Sequence, residues 1–188
     1  MFRRSKTCGL LFFDSKESAI FAFQLRKYEK TYKLKTLERM NIGDKAPERL
    51  GVNENGEEVL LSNYRGKKVV LYFYPKDNTS GCTAEACSLR DHYGEFRSRG
   101  YEVIGVSVDS AASHRKFIDK YELPFTLIAD TDKELVQAMG VWGEKSMYGR
   151  KYMGTFRTTF VIDENGIIEK VFLPKEIKTS THAEQLLK

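Results

Sequence analysis

Val69-Val-Leu-Tyr-Phe-Tyr74-Pro-Lys-Asp-Asn-Thr79-Ser-Gly-Cys82-Thr-Ala-Glu-Ala-Cys87 is the stretch whose reading decides the fold. Val69–Tyr74 is an unbroken apolar run, the pattern of a central strand covered on both faces. Pro75 ends it, and six residues without periodicity follow. From Cys82 to about Arg97, Ala86, Leu89, Tyr93 and Phe96 recur at three- and four-residue steps, which predicts an amphipathic helix. A strand therefore leads through a short loop into a helix whose first residue is a cysteine.

The flanks extend this alternation. Upstream, Asn55-Gly56 lies between Leu50–Asn53 and Glu57–Leu61, which predicts a β-hairpin. Downstream, Glu102–Val108 reads as a second buried strand, and Asp109 or Ser110 caps a helix with Phe117, Ile118 and Tyr121 on its apolar face. Phe125–Ala129 reads as a third strand, and Lys133–Met139 as a short helix stopped by Gly140. Thr158–Ile162 and Ile167–Phe172 flank a second Asn-Gly turn, and a closing helix runs from about Thr181 to Leu187. Strands joined by helices imply a partly parallel sheet covered on both faces. The expected class is α/β: a thioredoxin-like fold with a central mixed sheet flanked by helices and an added N-terminal β-hairpin.

The bulk properties exclude several functions. The 188-residue chain is 41% hydrophobic and 30% charged, with no apolar stretch near the 18 or so residues of a membrane helix. Its formal charge of +5 is uneven: residues 1–39 hold ten Lys/Arg and four Asp/Glu, and residues 40–188 hold 21 and 22. The body thus has no excess charge for nucleic acid or a membrane surface. Residues 1–39 are read as an N-terminal extension, with Met40 a candidate natural start. Asp14, Lys16 and Glu17 interrupt any signal-peptide core, and four acids are too many for a transit peptide. Residues 40–188 are read as the functional domain.

Three cysteines, Cys8, Cys82 and Cys87, do not make a disulfide framework, and a pair five residues apart fits redox or metal chemistry in a reducing compartment. His92, His114 and His182 share no ligand spacing, and Cys82-x4-Cys87 lacks a second pair, so neither a metal nor a cofactor is expected. A thiolate at the start of a helix faces unpaired backbone N–H groups and the positive end of the helix dipole, the kind of setting that activates a cysteine. Thr79, three residues earlier, can place a hydroxyl beside the sulfur, free to accept from or donate to a bound substrate, and Pro75 stiffens the loop that shields the sulfur.

Pro75, Thr79 and Cys82 match the peroxiredoxin pattern P-x3-T-x2-C, a chance match being on the order of one in a hundred for a chain this long. Residues 40–188 resemble throughout the bacterioferritin comigratory protein, or peroxiredoxin Q, branch of that family; residues 1–39 do not. The resemblance implies that Cys82 is the peroxidatic cysteine, with Thr79 and Arg157 beside it, Arg157 standing before a late strand in Gly154-Thr-Phe-Arg-Thr-Thr-Phe160. Many relatives carry Pro where this chain has Ser80, a change that loosens the loop and removes no catalytic group.

Arg157 also makes sense without the family, because a permanent cation near the sulfur would stabilise both the thiolate and the departing hydroxide. Cys87 is read as the resolving cysteine. In a continuous helix its Cα would lie roughly 8.6 Å from that of Cys82, on a different side. A disulfide needs less than about 7 Å, so the first turns must unwind before the pair can bond. The expected function is a thiol-specific peroxidase acting on hydrogen peroxide and organic hydroperoxides. A thioredoxin- or glutaredoxin-type dithiol would reduce the resulting disulfide, in a cytoplasmic monomer that binds neither nucleic acid nor membrane.

Two other readings compete. A thioredoxin-like disulfide reductase would place Cys-x2-Cys at the helix start, and a chaperone or interaction module on a redox fold would not need Thr79, Cys82 and Arg157 together. Trp142, Tyr148 and Tyr152 either line the site or pack. Asp77 and Glu85 either pair with Lys76 or Arg157 or are solvated charges.

Overall fold

The computed structural model describes residues 39–147 and 149–188, which fall in the unit Glu38–Lys188. Residues 1–38 of the expected extension, Cys8 and Tyr148 lie outside the described residues.

The six residues of β3, Lys68–Phe73, show how the layers form. Alternate side chains leave opposite faces of a strand. Val69, Leu71 and Phe73 enter one apolar cluster with Leu50, Ile104, Val106, Ile128, Leu135 and Phe160. Val70, Tyr72 and Tyr74 enter the other with Cys82, Ala86, Leu89, Phe117 and Ala183. Residues 69–74 are all fully buried, which is why the run reads as continuous rather than alternating.

Around β3 the sheet has the order β5-β4-β3-β8-β9, with β4 Tyr101–Ser107, β5 Thr126–Ala129, β8 Thr158–Ile162 and β9 Ile168–Phe172. The β3–β4 and β4–β5 pairs are parallel, and β8 and β9 join antiparallel. Gly105 lies opposite Tyr72, and a Cβ there would stand 2.8 Å from the Tyr72 ring, so glycine is what lets the tyrosine fill this face. Helices α1 Ser80–Asp91, α2 Tyr93–Ser98, α3 Ala111–Tyr121 and α5 His182–Leu186 contribute to the second cluster, and α4 Glu134–Ala138 contributes to the first. Among the described residues no helix is long and apolar enough to cross a membrane.

The N-terminal hairpin is present as β1 Arg49–Val52 and β2 Glu58–Leu60. The helix expected over residues 82–97 begins two residues earlier and breaks at His92, whose backbone (φ −106°, ψ 8°) leaves the helical region. Ser110, one of the two expected caps, does accept from Ser113 N. A further hairpin, β6 Trp142–Met147 and β7 Arg150–Thr155, has no counterpart in the sequence reading. Four of the six β7 residues are exposed, so the strand shows no apolar alternation by which to recognise it.

Candidate active site

Helix α1 starts just past the carboxyl end of β3, where ligand sites of open α/β sheets form. Thr79 occupies the N-cap position in an extended conformation (φ −87°, ψ 149°), so Cys82 lies within the first turn, among backbone N–H groups without intrahelical partners. Its side chain belongs to the second core cluster and the residue is 1% exposed.

Pairing of β8 with β3 brings Arg157 to the same place. Thr158 lies opposite Phe73, so the residue before β8 sits where β3 gives way to the loop. Arg157 Nη2 donates to Cys82 Sγ at 3.2 Å, and Nη1 forms an ion pair with Glu85 Oε2. Glu85 stands three residues after Cys82, on the same helical face, so one guanidinium bridges both. A Cβ on Gly81 would stand 3.3 Å from Arg157 Nη2; glycine there leaves the guanidinium its place.

Glu85 is fully buried, and its Oε1 has no hydrogen-bond partner. Burial pushes its carboxyl up to about 7, against the pull of Arg157. His182 of α5 places Nε2 3.9 Å from that oxygen and 2.8 Å from Thr159 Oγ1. Burial, with repulsion from Arg157, lowers His182 to about 4, although its contact with Gln185 opposes the shift. Lys145, whose Nζ donates to Thr155 O at 2.6 Å, is lowered by burial and by Arg157, while Cys82 acts in the opposite sense.

The two buried groups leave opposite marks on acid stability. Folded Glu85 binds its proton near 7 and the unfolded carboxyl near 4.5, so stability rises as pH falls through that window. Folded His182 waits until about 4 whereas the unfolded imidazole protonates near 6.5, so stability falls over that interval. Each effect amounts to about 3 kcal/mol over its full range, and in the native chain they offset one another. The melting temperature of Glu85→Gln should therefore fall between pH 7 and pH 5 more steeply than that of the native chain. An unchanged slope would mean that Glu85 does not take up a proton in this range.

Thr79 is exposed, and its hydroxyl donates to Lys76 O at 3.0 Å, leaving its lone pairs as acceptors. Pro75, half-buried, opens the loop. Cys87 is half-buried on the same helix and is not brought against Cys82: both thiols are free, with the helix continuous between them. Of the two carboxylates weighed in the sequence, Glu85 does pair with Arg157. Asp77 pairs neither with Lys76 nor with solvent but is buried against His114. Trp142 packs on the first cluster, and Tyr152 is 45% exposed. Among the described residues no group of three or more His, Cys, Asp or Glu is placed to hold a metal ion. The sequence reading missed Gly81, Lys145 and His182. The Cys82-x2-Glu85 spacing carried a local signal, whereas His182 reaches the site only through tertiary packing.

The model of the AhpC/TSA family matches residues 42–171. The chain is 44% identical over 148 residues to the putative peroxiredoxin bcp of Coxiella burnetii, covering 79% of this chain and 97% of that one. To peroxiredoxin Bcp of Bacillus subtilis it is also 44% identical over 148 residues, covering 79% and 93%. Among solved structures, the Xanthomonas campestris bacterioferritin comigratory protein, studied for alkyl peroxide reduction, superposes with a TM-score of 0.68 at 32% identity, over 77% of this chain and 95% of that one. With its helix-borne cysteine under an arginine and these relatives matched over nearly their whole length, the chain belongs to the AhpC/TSA family, in its bacterioferritin comigratory protein or peroxiredoxin Q branch.

Proposed function

We propose that this peroxiredoxin reduces hydrogen peroxide and organic hydroperoxides through the sulfur of Cys82. The Cys82 thiolate attacks the nearer peroxide oxygen, an S–O bond forms as the O–O bond breaks, and the departing alkoxide or hydroxide takes a proton. The observation that carries the reading is the Arg157 guanidinium, 3.2 Å from Sγ and tied back by Glu85, which can stabilise charge on sulfur and on the oxygens as it moves. Thr79, its donor engaged by Lys76 O, accepts the hydrogen of the bound peroxide, and Pro75 stiffens the loop that carries it. The product, a sulfenic acid on Cys82, condenses with the Cys87 thiol to give a disulfide and water. Because α1 runs unbroken through both residues, its first turns must unwind for that bond to form.

A thioredoxin- or glutaredoxin-type dithiol then reduces the disulfide by exchange. The oxidant and the dithiol account for every electron, so no cofactor is required. The disulfide forms within one chain, so a monomer suffices, and free thiols suit the cytoplasm. Residues 40–188 constitute the peroxidase domain and residues 1–39 an extension from it.

Cys87→Ser tests the resolving role. With thioredoxin and its reductase it should consume one equivalent of peroxide per chain and then stall, keeping an oxygen on Cys82. Sustained turnover at the native rate would remove Cys87 from the cycle and leave a one-cysteine mechanism.

A further inference from the structure

The loop that carries Thr79 is held by a buried cluster outside the catalytic groups. Asp77 has a 3% exposed side chain and accepts at both carboxylate oxygens. Tyr74 Oη donates to Oδ1 at 2.8 Å, and Ser113 Oγ and His114 Nδ1 donate to Oδ2 at 2.6 and 2.9 Å. The backbone N–H of Asp77 donates to Asp109 Oδ2 at 2.8 Å, an oxygen that also accepts from Ser107 Oγ at 2.9 Å. His114, on α3 and fully buried, directs its other nitrogen at Ile128 O, 3.1 Å away.

A carboxylate can only accept, so the contact at Asp77 Oδ2 is made by a hydrogen on Nδ1 of His114, and the other ring nitrogen is held against Ile128 O. Polar groups taken out of water persist only where hydrogen bonds satisfy them, and here both carboxylate oxygens and both ring nitrogens have partners. The pair ties the loop to α3 and, through Ile128, to the edge strand β5.

Only Asn78 separates Asp77 from Thr79. It adopts a left-handed conformation (φ +56°), which asparagine tolerates better than most residues. Two peptide units span at most about 7 Å, so fixing Asp77 fixes where Thr79 can stand. The anchoring side chains, Tyr74 just past the end of β3 and Ser113 and His114 on α3, all lie outside α1. The anchor can therefore hold while the first turns of α1 unwind.

We propose that the buried Asp77–His114 pair is a positioning device for peroxide attack. It holds the Thr79 loop in register with Cys82 and takes no part in resolution. Neither residue touches the sulfur. The inference rests on the peroxidase reading above and adds residues to it.

The test uses the Cys8→Ser/Cys87→Ser chain, so that only Cys82 reacts, and follows two reactions in parallel: oxidation by hydrogen peroxide, and alkylation by iodoacetamide, which has no need of Thr79. Asp77→Asn keeps the volume but removes the charge, and His114→Gln keeps one donor. Both should lower the peroxide rate constant by about 10- to 100-fold, the loss expected from a misplacement of about 1 Å, and leave alkylation within about twofold of the parent. In chains that retain Cys87, disulfide formation after oxidation should keep its native rate. A peroxide rate at the parent level, or equal losses in both reactions, would overturn the proposal; the second would make the pair a support of the fold only. Cys82→Ser, run alongside, separates the two claims: if it still consumes peroxide, the peroxidase reading itself has failed.

Discussion

Replacing Cys82 by serine is expected to abolish peroxide consumption while leaving the fold in place. Serine is close in volume and the residue is buried in the second core cluster, so packing changes little. The chemistry changes entirely, because at neutral pH a serine hydroxyl is not an anion and, among the described residues, nothing beside it is placed to act as its general base. The Glu85 carboxylate at the site is engaged with Arg157. Peroxide loss measured with thioredoxin and its reductase should fall to the level without enzyme. Turnover by Cys82→Ser would move the chemistry to another residue.

Arg157→Gln should be nearly as damaging, lowering the rate constant for oxidation of Cys82 by about 10²- to 10³-fold, the usual size of losing one preorganised donor at a site of developing charge. The guanidinium holds Sγ with one nitrogen and Glu85 with another, a two-armed geometry that an amide or an ammonium cannot reproduce. Arg157→Lys should therefore recover only a small part of the loss. The variants should still fold, because a Glu85 relieved of its partner can bind a proton, its carboxyl already standing at about 7. Stopped-flow oxidation of the two variants checks this. A loss below about threefold in Arg157→Gln would reduce the arginine to a structural ion pair.

Much of the architecture was legible in the sequence because it is local. The apolar run of residues 69–74, the Asn-Gly turns and the helical spacing after Cys82 each express a backbone preference within a few residues, and each corresponds to an element of the fold. The β6–β7 hairpin was not legible, since an exposed strand has no buried face to impose a pattern. The break at His92 also escaped, because the apolar spacing runs through it from Leu89 to Phe96.

The site divides in the same way. Cys82, Thr79 and Pro75 lie in one short segment. The approach of Arg157 to Cys82, 75 residues away in sequence, depends on β8 pairing with β3, which only the resemblance to a family could suggest in advance. Asp77, weighed as a possible surface charge, is buried, because its partners Ser113 and His114 come from a helix more than thirty residues away, at separations of 36 and 37.

The most direct measurement is the rate at which hydrogen peroxide oxidises the Cys8→Ser/Cys87→Ser chain, with mass mapping of where the oxygen lands. The account predicts one oxygen on Cys82, added orders of magnitude faster than to free cysteine at the same pH. Oxidation no faster than free cysteine, or oxygen found elsewhere on the chain, would contradict it.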